Sequence, residues 1–125
     1  MLKDVLLVGA GGFAGSVLRY LVSVGTVSLA MRTGFPAGTF IVNVLGSLLI
    51  GFFFTVLRDE GISRLLIAGF CGGFTTFSAF SLESLGLLKD GHYTAAALNI
   101  LGSVVLCILC VWLGALAGKH FFRTI

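Results

Sequence analysis

VLLVGAGGFAG, Val5–Gly15, is the stretch on which the fold turns. Gly9, Gly11 and Ala14 satisfy the G-x-G-x-x-G/A spacing of a dinucleotide-binding turn. Such a turn needs a strand before it, a helix after it, and a second strand bearing an acid about 20 residues on. The corresponding region reads VSLAMRTG, Val27–Gly34, and after Asp4 the next acid is Asp59. No alternation of strands and helices follows, so the spacing is coincidental and the glycines need another explanation.

Composition supplies one. Of 125 residues, 58% are apolar and 10% charged, against about 45–50% and about 25% in soluble domains. A small soluble domain must cover a large surface with polar groups, and eight Lys/Arg with five Asp/Glu are too few. The charges also leave long gaps. Thr33–Leu57 and Leu65–Leu82 carry none, Gly91–Gly118 carries only His92, and Val5–Met31 is interrupted by Arg19 alone. Crossing the hydrocarbon core takes about 20 helical residues. The pattern predicts one all-α membrane domain, residues 1–125, with four helices over about 4–31, 36–57, 62–88 and 93–118. Pro36 opens the second helix, where its missing N–H costs little. A signal peptide does not fit the first, because the apolar stretch continues past Arg19 to Ala30.

In a membrane helix the glycines read as a packing face. Gly11 with Gly15, Gly12 with Ser16, Ser47 with Gly51, and Gly114 with Gly118 are small residues four apart, a spacing that lets helix backbones approach closely. Spacing leaves open whether they pack within one subunit or between two.

The charge pattern excludes other classes. Net charge is +3 without a basic run, so nucleic-acid binding has no support. Lys3, Arg58, Arg64, Lys119 and Arg123 fall on one side of a four-span chain, Arg32 and Lys89 on the other. This is a small lean towards cytoplasmic termini. Cys107 and Cys110 lack the further ligands of a zinc site, and with Cys71 they read as free thiols inside spans. No set of nucleophile, base and orienting group stands out, so the chain is not read as an enzyme.

The third span holds GFCGGFTTFSAFS, Gly69–Ser81. Gly72-Gly73 weakens a helix, and Thr75-Thr76 offers hydroxyls to cap a new start. Unwound backbone in hydrocarbon is tolerated only where protein, water or an ion satisfies it, so a broken third helix is expected to mark a site. Freed carbonyls there bind cations, and half-helix N-termini bind anions. Phe77 and Phe80 share a face with Ser81 and Ser84, and the electropositive edge of a phenyl ring can meet an anion. Thr39, Asn43 and Ser47 form a polar stripe on the second helix, and Asn99, Ser103 and Cys107 one on the fourth. Arg19 lies well inside a span. It can snorkel, pair with Glu83, or line a water-filled mouth that favours anions.

These residues carry a resemblance. GGFAGSVLRY (11–20), GTFIVNVLGSLLIG (38–51) and GFCGGFTTFSAFS (69–81) are similar, in order and with the four-span layout, to the bacterial fluoride channels called Fluc or CrcB. The resemblance implies a passive fluoride-selective channel of the bacterial plasma membrane that exports cytoplasmic fluoride. It implies an antiparallel, dual-topology homodimer with two narrow pores, and a structural sodium ion at its centre on the backbone carbonyls of Gly72 and Thr75. It assigns the ring-edge fluoride contacts to Phe77 and Phe80, polar pore positions to Asn43 and Ser103, and a vestibule position to Arg19. Ala79 stands where the family usually has Thr. The alternative weighed is a proton-coupled cation exporter like the small multidrug-resistance transporters. Those need a carboxylate deep in the first helix, and here that helix has Arg19 and no acid past Asp4.

Overall fold

The computed structural model describes every residue from Met1 to Ile125. It is all helical: α1 (Leu2–Gly25), α2 (Val27–Thr33), α3 (Ala37–Val56), α4 (Glu60–Ser63), a π-helical stretch Arg64–Cys71, α5 (Gly72–Phe74), α6 (Phe77–Lys89) and α7 (Tyr93–Thr124). Four helical segments, Leu2–Gly25, Ala37–Val56, Glu60–Lys89 and Tyr93–Thr124, are long and apolar enough to cross a bilayer. Only 18 of the 125 residues are buried, whereas Phe13, Phe54, Leu101 and Ile108 are mostly exposed. That inverts a soluble core and suits a chain whose outer solvent is lipid.

Two spans differ from the expected limits. The first, expected over 4–31, divides at Thr26, whose φ of −104° and ψ of 1° end α1. Thr26 Oγ1 donates back to the Val22 carbonyl at 2.8 Å, a local bond that competes with helix continuation beside the flexible Gly25. The fourth, expected to stop at 118, runs to Thr124. Charge marked 118 as the end of the apolar run, but no Gly or Pro in KHFFRT stops the helix, and Lys119 and Arg123 suit a helix C-terminus. Pro36 caps α3 as expected, and Gly34 and Gly91 close turns at φ 68° and 78°.

Small residues decide the pairing of spans. α1 packs on the first half of the third span, and α3 on α7. A methyl on Gly11 would overlap the Leu65 carbonyl, and one on Gly15 the Phe70 carbonyl and the Phe74 N–H. Reciprocally, Gly69 seats against Val8 and Gly73 against Gly12. Across the other pair, Gly51 meets Val111 and Gly114 meets Leu48. Within this chain, therefore, the glycine faces join spans one and three, and two and four. The third span adjusts its own register at this contact: Gly72 N–H bonds to the Ile67 carbonyl five residues back, the wide-turn geometry that often marks functional helices.

Because these contacts are backbone on backbone, nothing nearby can yield. Gly15→Ala is expected to destabilise the folded protein by about 1–3 kcal/mol, the usual cost of overpacking. Gly9→Ala has nothing within 4 Å of the added methyl and should be neutral or stabilising by up to about 1 kcal/mol. Denaturant titration followed by circular dichroism compares them; equal stability of the two variants would refute the close-packing role.

Candidate functional site

In the third span the first run of helical bonding ends with the Thr75 N–H, which donates to the Cys71 carbonyl at 3.0 Å. Thr75 (φ −88°, ψ 157°) and Thr76 (φ −150°, ψ 117°) are extended, and α6 begins at Phe77. The glycines expected to weaken the helix remain helical. Gly72 has φ −62° and ψ −38°, and Gly73 serves the approach of Gly12. The threonines leave the helix instead. Both are β-branched, and both bond locally. Thr75 Oγ1 donates to the Cys71 carbonyl at 2.8 Å, and Thr76 Oγ1 accepts the Ala79 N–H at 3.2 Å, capping α6.

The step redistributes backbone partners. In an unbroken helix the N–H groups of 76, 77 and 79 would donate to the carbonyls of 72, 73 and 75. Here Thr76 N–H donates to Asn43 Oδ1 at 2.7 Å, and Asn43 Nδ2 donates to the Thr76 carbonyl at 3.0 Å. Asn43 thus clamps both polar groups of one peptide residue from α3. Arg19 Nε, from α1, donates to the Gly73 carbonyl at 3.0 Å. The carbonyls of Gly72 and Thr75 lose their helical donors to Asn43 and to the Thr76 hydroxyl, and no side chain takes the vacated places.

Beside this step lies a cavity of about 470 Å³. It brings together Asn43, Phe77, Phe80 and Ser103 with Gly72 and Thr75; Ser47 and Cys107 also border it. The two rings sit 5.4 Å apart between centroids, tilted by 42°. Phe80 is 9% exposed and Phe77 78%, so the site is open on one side. Arg19, Thr39 and Asn99 lie outside the cavity.

Those outer polar groups form a second layer. Thr39 Oγ1 donates to Glu83 Oε1 at 2.7 Å. Asn99 Nδ2 donates to Ser84 Oγ at 3.0 Å, and Ser103 Oγ to Asn99 Oδ1 at 3.4 Å. Glu83 Oε2 is buried without a hydrogen-bond partner. Arg19 therefore does not pair with Glu83: each is engaged by a different span. The stripes at Thr39 and Asn99 tie α3 and α7 to α6, while Asn43 and Ser103 border the cavity. Sequence reading missed the Asn43 clamp and the linkage through Glu83 and Ser84. Their shared feature is a polar side chain one helical stripe away from another, which spacing within one helix cannot pair across helices.

Removing the clamp leaves the half-buried Thr76 N–H and carbonyl without these partners, at a cost of up to about 1–3 kcal/mol for each group. Asn43→Ala is expected to speed amide exchange at Thr76 by roughly tenfold or more, with α7 amides unchanged. Hydrogen–deuterium exchange reads this directly, and unaltered exchange at Thr76 would show that the clamp does not hold the step.

Comparison with known proteins bears on the site. The family model described as CrcB-like protein, Camphor Resistance (CrcB), matches residues 6–115. A protein of Elusimicrobium minutum named fluoride-specific ion channel FluC is 47% identical over 120 residues, covering 95% of this chain and 96% of its own length. A protein of the same name from Chlorobaculum tepidum is 48% identical over 124 residues, covering 95% and 97%. Another, from Methanococcus maripaludis, is 44% identical over 125 residues, covering 97% and 100%.

Proposed function

Since this chain belongs to the CrcB-like family, we propose that it is a passive, fluoride-selective ion channel. The observation that carries the reading is the grouping of Phe77, Phe80, Asn43 and Ser103 around one cavity beside a non-helical step. Fluoride is small and strongly hydrated, so a pore must replace its water with donors. Asn43 gives one amide N–H to Thr76 and keeps a second. The Ser103 hydroxyl makes only a long 3.4 Å bond to Asn99, from which it can turn. Ring edges of Phe77 and Phe80 add weaker electropositive contacts. Several modest contacts suit conduction, because a deep well would hold the ion.

A sodium ion fits the Gly72 and Thr75 carbonyls. Both are neutral oxygen ligands whose helical donors are diverted elsewhere, the kind of unwound backbone that coordinates Na⁺ in transporters. When bound, it supplies a fixed positive charge near the path. Arg19, anchored on Gly73, adds a second cation on the α1 side. One chain offers two such carbonyls, and its cavity is open at Phe77. These features support an antiparallel homodimer in which a second copy closes the site and doubles the ligands. The small charge bias across the spans is compatible with dual topology.

In this reading the protein sits in the plasma membrane of a bacterial cell. Hydrogen fluoride enters by diffusion and dissociates in the more alkaline cytoplasm. The anion then leaves through the pore, driven by about 2.3 kcal/mol per 100 mV of inside-negative potential. The cation-exporter alternative lacks its acid: the only α1 carboxylate, Asp4, is in the first turn, bonded to Arg64 at 3.0 Å.

Liposomes containing only this protein should release fluoride, followed with a fluoride electrode, and Phe80→Ile should slow release at least about tenfold, equivalent to roughly 1.4 kcal/mol, while the dimer persists. Flux no greater than from empty liposomes, in verified folded protein, would sink the channel reading. Replacing sodium by a large organic cation should lower the thermal stability of the dimer. Unchanged stability, with no sodium detected by elemental analysis, would remove the central cation.

A further inference from the structure

The sequence contains no basic run, but the fold assembles a cationic pocket. The close packing of α3 on α7 continues to their ends, where Gly118 seats against Thr55. This places Arg58, just beyond α3, beside the last turns of α7. Its guanidinium lies 5.2 Å from the Phe122 ring centroid, a cation–π contact that fixes the side chain. Arg58, Lys119, His120 and Arg123, with Leu116 and Phe122, border a cavity of about 460 Å³.

No acid balances these charges. On the same side of the bundle Arg64 takes both Asp4 and Glu60, each at 3.0 Å, and Asp59 Oδ1 accepts the Ile62 N–H. Arg58, Lys119 and Arg123 have no carboxylate within ion-pair distance. The α7 dipole, worth about half a charge at its C-terminus, offsets only a fraction of three cations. Three positive charges around one cavity repel one another unless an anion joins them.

The surroundings choose the anion. Leu116, which borders the pocket, continues an exposed strip on one face of α7: Val105 (55% exposed), Leu109 (45%), Trp112 (59%) and Leu116 (42%). A charged pocket at the helix ends with an apolar strip running from it into the hydrocarbon matches a head group with acyl chains. Basic pockets between membrane helices hold anionic head groups in this manner. We propose that Arg58, Lys119 and Arg123 bind the phosphate of an anionic membrane lipid, whose acyl chain lies along the strip to Val105. None of these residues borders the cavity of Phe77 and Phe80, so the site stands apart from the pore.

Native mass spectrometry of the folded protein, titrated with dioleoyl phosphatidylglycerol or phosphatidylcholine, tests this. The protein should prefer phosphatidylglycerol. Neutralising Arg58→Gln, Lys119→Gln and Arg123→Gln together should weaken that binding by roughly fivefold per cation removed, leaving phosphatidylcholine unaffected. Lys119→Gln alone should lose about fivefold and keeps the test decisive if the triple variant does not fold. Arg32→Gln, at the opposite end, should change nothing. Equal phosphatidylglycerol binding by wild type and Lys119→Gln would overturn the site, and so would an equal loss in Arg32→Gln, which would mark general charge attraction. Inorganic phosphate provides the second arm. Displacement of phosphatidylglycerol as readily by phosphate as by a soluble dioctanoyl phosphatidylglycerol would overturn the lipid assignment in favour of a free anion; failure of phosphate to compete supports it.

Discussion

A backbone polar group without a partner in hydrocarbon costs several kcal/mol, and this molecule is arranged around one place where that cost must be met. At Thr75–Thr76 the third span gives up helical hydrogen bonding in mid-course. Two of the replacement partners come from other helices, and one from the step itself. Asn43 on α3 takes both polar groups of Thr76, Arg19 on α1 takes the Gly73 carbonyl, and the Thr76 hydroxyl takes the Ala79 N–H. The step is therefore a tertiary structure, held by three spans. It explains why an arginine can sit inside α1: its side chain has a fixed acceptor, which offsets the about 2.5–3.5 kcal/mol that a centred arginine costs on insertion scales.

Such replacement requires the helices to be close. Asn43 reaches Thr76 because Gly46, one turn on, has no side chain in the path of Thr75. Arg19 reaches Gly73 because Gly11 and Gly15 lay α1 directly on the third span. The glycines do not unwind the backbone; they bring the capping side chains within range. The polar second layer, Thr39 to Glu83 and Ser84 through Asn99 to Ser103, then ties α6 to its neighbours beyond the step. Hydrogen bonds between membrane helices average well under 2 kcal/mol each, so their number and their placement on both sides of the step matter more than any one of them.

Much of this was legible in the residues. Gaps between charges located the four spans, because the bilayer imposes a minimum apolar length that soluble folds do not need. G-x-x-x-G spacing marked the packing faces, and the cluster GFCGGFTTFSAFS marked the site. What spacing could not resolve was the partner. Gly72-Gly73 read as the weak point because glycine is flexible, yet tertiary contact with Gly12 keeps Gly73 helical and moves the step to the threonines. Asn43 read as one member of a polar stripe, to which the resemblance gave a pore position, and the fold engages both ends of its amide. The cationic pocket was invisible for the same reason: Arg58 and Arg123 are far apart in sequence and meet only because α3 and α7 are parallel neighbours with Gly114 and Gly118 between them.

The electrostatics of the step bind the two halves of the proposed function together. Diverting the Thr76 and Ala79 N–H groups leaves the carbonyls of Gly72 and Thr75, two residues that border the cavity, without their helical donors, and bare carbonyl oxygens repel an anion. The same diversion starts α6 at Phe77, and its positive N-terminal end holds Phe77 and Phe80 in its first turns. One side of the cavity is thus suited to a cation and the other to an anion. A cation held by the carbonyls would reverse the sign of that side, and the whole wall would then favour an anion such as the proposed fluoride. The proposed sodium and fluoride sites are therefore one electrostatic arrangement: without the cation, the oxygen atoms freed at the step would oppose an anion drawn to the ring edges of α6 and the Asn43 amide of α3.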